Sequence, residues 1–184
     1  TRSARILVFS SSLDLTGQNP CHLKQLFRRE PDGSGLVQLT ACGTPRYAGY
    51  PTIRPDGQLI VYRGDDANGW TQVLAMNPDG TGKTFLTSGV HGIQAARPSV
   101  GNGPLPAWTT FVMSDANGYY QVFRAKTDGS ALQQITNTPS GDASPSISSD
   151  GNRIAWNSAS DPTGENPDGS DEVFLWDATS STIR

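Results

Sequence analysis

The 184-residue sequence predicts an all-β fold, a β-propeller of four-stranded antiparallel blades with about four blades in the chain. Three observations carry this. First, landmarks recur: Phe27, Leu74, Phe123 and Phe174 are 47, 49 and 51 residues apart, and each is preceded two positions earlier by Gln25, Gln72, Gln121 or Glu172. A Leu/Ile-Thr pair (Leu39-Thr40, Leu86-Thr87, Ile135-Thr136) and a proline (Pro51, Pro98, Pro145) keep nearly the same interval. Such a period marks a propeller, a solenoid or an array. Second, the landmarks enclose short runs rich in β-branched and aromatic residues, "RILVF", "QLIVY", "TTFVM" and "RIAW", with no helix-length amphipathic pattern between them. Third, Asp-Gly pairs separate the runs, because glycine takes positive φ without steric cost and Asp bonds the neighbouring backbone, as tight hairpins need.

Each period thus reads as four strands, a to d. Blade one, about 5–40, starts at strand b, since only four residues precede Arg5, and carries a long b-to-c loop, "SSLDLTGQNPCHL". Blade two, about 50–87, has the b-to-c connection "GDDANGW". Blade three, about 97–136, has "SDANGYY" there and departs from the pattern in "RPSVGNGPLPAWTTFV", where Gly103 and added prolines replace the Asp-Gly of the a-to-b turn. Blade four, about 144–184, has a loop related to the first, "SASDPTGENPDGSDE", and lacks most of strand d. Three outcomes are open for such a chain: an imperfectly closed ring, a homodimer completing a larger propeller, or a piece of a longer protein.

The blades "SPSISSDGNRIAW" from Ser144, "YPTIRPDGQLIVY" from Tyr50 and "QVFRAKTDGSALQQIT" from Gln121 resemble the TolB-type, WD-like propeller repeats. Those read roughly P-S-x-S-P-D-G-x-x-I-A-F, then I-Y-x-x-x-x-D-G-x-x-x-x-L-T. The resemblance covers almost the whole chain. It implies a noncatalytic scaffold that binds a protein or small ligand. The alternative expectation is the substrate-filtering propeller of a larger prolyl-oligopeptidase-like hydrolase, with the chemistry in another domain.

A net charge of -3 offers no basic stripe for a phosphate backbone, so nucleic acid is not an expected partner. No apolar run approaches the roughly 20 residues that cross a bilayer. Cys21 lies just before strand c of blade one and Cys42 just after its strand d, with the hairpin turn midway at Asp32. Antiparallel pairing sets them opposite each other, so a disulfide is expected, against the alternative of two free buried thiols. A bridge implies a periplasmic or secreted protein.

Strand alternation puts the a-to-b and c-to-d turns on one face and the b-to-c and d-to-a loops on the other. The second face gathers His22 and the binding candidates Arg46, Tyr47, Trp70, His91 and Tyr119, since exposed aromatics with Arg are common anchors. Against this, Trp70 and Tyr119 would simply pack on hairpin ends. The loop "DPTGENPDGSDE" collects Asp161, Asn166, Asp168 and Asp171, hard oxygen ligands of the kind calcium prefers, without the spacing of an EF-hand. Calcium is therefore the one cofactor the sequence suggests, and solvated turn residues are the competing explanation. "NPDGTGKT" at Asn77 ends like a phosphate-binding loop but has Asn77 where the first glycine belongs and no helix after it. No nucleophile elbow or H-E-x-x-H occurs, so no catalytic residues are assigned.

Overall fold

The computed structural model describes residues 6–43, 46–87, 95–139 and 141–184, and all of its regular structure is β. Four antiparallel sheets follow one another along the chain. Blade one holds β1 (Leu7–Ser11), β2 (Gln25–Arg29) and β3 (Val37–Gln38); blade two holds β4 (Ala48–Ile53), β5 (Ile60–Asp65), β6 (Thr71–Met76) and β7 (Thr84–Phe85). Blade three holds β8 (Ala95–Val100), β9 (Trp108–Ser114), β10 (Tyr120–Lys126) and β11 (Leu132–Gln134); blade four holds β12 (Ala143–Ile147), β13 (Arg153–Ser158), β14 (Glu172–Asp177) and β15 (Thr182–Ile183). Among the described residues blade one has three strands. The last strand of blade four, expected to be mostly missing, is already as long as β3 and β7, because two residues suffice for the outer edge. Blade three also closes its a-to-b pair, with Gly101 N–H donating to Trp108 O at 2.9 Å.

The innermost strands β4, β8 and β12 touch in sequence and form the hub. Each sheet packs on the next, and the fourth makes no comparable contact with the first, so the described sheets do not close into a ring. Three apolar layers fill the junctions: Leu26 and Leu39 against Ile60, Tyr62 and Leu74; Val61, Val73 and Leu86 against Phe111 and Phe123; Val112 and Val122 against Ile154, Trp156 and Phe174. Apolar residues thus face both ways along each central strand, which is why the runs read as continuously apolar.

The recurring markers each have a structural role. Thr40, Thr87 and Thr136 accept the N–H of Leu26, Val73 and Val122 at 2.9, 3.1 and 2.9 Å. The hydroxyls of Thr40 and Thr87 donate to Gln25 and Gln72 Oε1 at 2.6 and 2.5 Å, while the single proton of Thr136 has Gln121 Oε1, at 3.0 Å, and the Asp142 carboxylate as alternative acceptors. One buried Gln-Thr pair thereby fastens the outer edge of each of the first three blades. The prolines sit in a bulge of the innermost strand, where the register shifts and the preceding residue, Tyr50, Arg97 or Ser144, has φ of 50, 55 or 51°. A bulge leaves a residue out of the ladder, so proline's missing N–H costs nothing there. The Asp-Gly turns bond as expected, Asp32, Asp79 and Asp128 each accepting from the residue two positions on. The phosphate-loop lookalike is one of them, with Asn77 N–H donating to Thr81 O at 2.9 Å.

Cys21 and Cys42 form a disulfide, Cα to Cα 6.0 Å, across the open end of the first hairpin. No described helix is long and apolar enough to cross a membrane.

Candidate functional site

The loop face carries two structurally equivalent junctions, between blades one and two and between blades three and four. Pairing registers align them: Lys24 corresponds to Tyr120, Tyr47 to Gly141, Ala48 to Asp142, Arg63 to Asn157 and Asp65 to Ala159. At both, the innermost strand of the later blade hangs on the preceding blade by one backbone bond, Ala48 N–H to Lys24 O at 2.8 Å and Asp142 N–H to Tyr120 O at 2.6 Å.

The first junction is filled. The Tyr47 ring lies against Gly49, where an added Cβ would come within 2.6 Å of Tyr47 Oη. Arg63 stands 4.9 Å and Lys24 Nζ 5.7 Å from the ring centroid. Burial pushes the Asp65 carboxyl above its ordinary range, opposed by the charge of Arg63, the backbone N–H of Tyr47 and the charge of Arg46. The carboxyl of Asp65 thus lies in the field of cations that the chain itself supplies.

The second junction is open. Glycine at 141 leaves a cleft of about 300 Å³ lined by Tyr119, Tyr120, Asp142, Asn157, Ser158 and Asp171 among others. Tyr120 bounds the approach so closely that a Cβ on Gly141 would meet its backbone N at 3.3 Å. Asp142 is 4% exposed. Its Oδ2 accepts the hydroxyls of Thr136 and, at 3.2 Å, Thr138, while its Oδ1 has no hydrogen-bond partner.

Of the residues singled out from sequence, Tyr47 and exposed Arg46 fall at the filled junction and Tyr119 at the open one. Trp70 and Tyr119 occupy matching hairpin ends, their backbone N–H groups donating to Asp66 and Asp115 at 2.9 and 3.0 Å, and both residues are more than two-fifths exposed. His22 is exposed. His91 lies outside the described residues. Asp142, Tyr120, Asn157, Asp65, Arg63 and Lys24 were not foreseen. The detectable signal was Asp142, which stands three residues before its proline where Ala48 and Ala95 stand in the other blades.

The acidic loop of blade four is a twin of the first long loop. Asn166 is 5% exposed; its N–H donates to Asp161 Oδ1 at 3.0 Å and its Nδ2 to Ser160 O and Ser170 O at 3.2 and 2.8 Å. Asn19 repeats this with Asp14 Oδ1, Leu13 O and Leu23 O at 2.8, 3.3 and 2.9 Å. Asp168 Oδ1 accepts from Ser170 N and Oγ, and Asp171 lines the open cleft instead. Asp161, Asn166 and Asp168 are therefore engaged in holding the loop's shape. Among the described residues no three His, Cys, Asp or Glu side chains converge as a metal site.

No described protein family and no curated protein matches the sequence. Solved structures do match in fold. The putative TolB from Agrobacterium tumefaciens aligns over 97% of this chain with a TM-score of 0.69 and 19% identity, and TolB from Acinetobacter baumannii over 98% with 0.63 and 18%. The β-propeller domain of the Trilobed protease from Pyrococcus furiosus aligns over 74% with 0.53 and 10%. The chain spans 60%, 43% and 41% of those chains. The fold is a TolB-like propeller, present as four blades not closed on themselves.

Proposed function

We propose that the chain is a noncatalytic propeller scaffold of TolB type that holds a protein or small ligand on its loop face. The observation that carries this is the open cleft between blades three and four, on the face that also presents Arg46, Trp70 and Tyr119. The disulfide supports an oxidising location, periplasmic or secreted. The test is photo-crosslinking from positions beside Trp70 and Tyr119, against positions beside Asp32 and Asp128 on the opposite face. A saturable product only from the loop face is expected; equal labelling of both faces would refute the assignment.

Blade four suggests how the ring is extended. Val173 is 75% exposed, whereas its counterparts Leu26, Val73 and Val122 are 0% exposed beneath the next blade. A blade from a second copy fits this face, which is flanked by half-buried Leu175 and Ala155. Light scattering should give a dimer that Val173→Asp converts to monomer; a wild-type monomer at high concentration rejects it.

A second reading, the substrate-filtering propeller of a larger hydrolase, draws on the likeness to the Trilobed protease domain. A hydrolase segment with a nucleophile elbow in the same gene would favour it.

A further inference from the structure

We propose that the cleft between blades three and four binds a cationic group, a primary ammonium or a guanidinium, with Asp142 as its counter-charge. This deepens the loop-face reading and rests on it. Three observations converge. The fold does not need a carboxylate at this position, because Ala48 starts the innermost strand of blade two and makes the same backbone bond. The carboxylate is nevertheless buried, with Oδ1 unbonded, and none of the ion pairs among the described residues involves Asp142. An unpaired buried charge is costly, so a partner that neutralises it gains affinity from relieving that cost. The equivalent junction shows what is missing: there the acid Asp65 and the Tyr47 ring have Arg63 and Lys24 beside them, while here those two cations are replaced by Asn157 and Tyr120.

The remaining lining suits the same ligand. Tyr119 and Tyr120 offer aromatic rings, Asp171 adds a second carboxylate at the rim, and among the described residues no Lys, Arg or His lines the cleft. Aromatic faces and carboxylates both attract cations, and a cleft of about 300 Å³ admits an alkylammonium or alkylguanidinium chain. The cation can come from a basic side chain of a protein partner or from a free polyamine, and both present the same chemistry.

The experiment is an NMR titration of the intact chain with N-acetyl-lysine amide, N-acetyl-arginine amide, spermidine and, as neutral control, N-acetyl-norleucine amide. Saturable shifts confined to residues around Gly141 and Tyr120 are expected for the cations and not for the control, weakening with added salt. Asp142→Ala, which installs the residue native to blade two, should fold and lose about tenfold or more in affinity. Tyr119→Ala and Asp171→Asn, both at exposed positions, should each lose about two- to fivefold, and they decide the matter if Asp142→Ala does not fold. Tighter binding of the amino-acid amides than of spermidine would indicate a protein side chain, and the reverse a polyamine. Shifts equal for cations and norleucine, or unchanged by these variants, would overturn the proposal. The loop-face crosslinking above would survive that outcome, so the two ideas fail separately.

Discussion

The two loop-face junctions share one backbone plan and differ in what occupies it. Between blades one and two the chain supplies a ring, two cations beside it and an acid, and fills the junction with its own side chains. Between blades three and four it supplies an acid and two tyrosines around a gap. A repeat protein thus needs few substitutions to convert a sealed junction into a receptive one, because the strand pairing that holds the blades does not depend on the side chains at the junction.

The disulfide gives the largest way to break this comparison, because only the sealed side has one. It closes a loop with a sequence separation of 21, for which removal costs about 3 kcal/mol. Reduction, or Cys42→Ser, should lower the melting temperature by several degrees. Hydrogen exchange should then rise first around Cys21–Leu23, and unchanged melting would mean that the hairpin ends are held otherwise. The twin loops sharpen the contrast. Asn166→Ala removes two side-chain bonds to backbone carbonyls and should cost about 2 kcal/mol in urea denaturation. Asn19→Ala should cost less while the disulfide stands, and as much once it is reduced. Equal costs in the oxidised protein would deny that the bridge shares Asn19's role. Tyr47→Ala, which opens the sealed junction, should cost about 1 kcal/mol through lost ring packing and cation–π contact, again by urea denaturation. It should also expose Asp65 and bring its raised carboxyl pKa back toward the ordinary range, measurable by carboxyl NMR.

The fold was legible because its period is written several times over, and each marker repeats with the backbone feature it serves. What the markers do was less visible. The glutamines and threonines could be listed from the sequence, yet their pairing across 15 residues emerges only when both edges of a hairpin are placed. The open cleft was hidden because the d-to-a connection is shorter before Pro145, nine residues after Thr136, than before Pro51, eleven after Thr40. Counting forward therefore misaligns Tyr47 with Gly141, and only counting back from the proline pairs them. The acidic loop was legible in another way: it reads as a set of oxygen ligands by composition, and its likeness to the loop at Asp14, Gly17 and Asn19 also points to a shared hydrogen-bonding plan.

The smallest expected effect at neutral pH concerns the rings beneath the two junctions. Tyr62 and Trp156 occupy equivalent positions, and each buries a heteroatom, Tyr62 Oη and Trp156 Nε1, without a hydrogen-bond partner, where the middle junction has Phe111. Burial pushes the Tyr62 phenol from 10.0 up to about 12. The unfolded chain therefore releases that proton first as the solution turns alkaline. Stability from this group is fully present below about pH 10 and is lost at up to about 1.4 kcal/mol per pH unit as pH rises toward 12. Tyr62→Phe should be within about 0.5 kcal/mol of wild type at pH 7, or slightly more stable, because it removes a hydroxyl that is desolvated without a bond. Above pH 10 the variant should outlast wild type in urea, whereas Trp156→Phe should show no such alkaline advantage because indole does not titrate there. A loss of 1 kcal/mol or more for Tyr62→Phe at pH 7 would show instead that the phenol is bonded in solution, and would erase the likeness between the two cores.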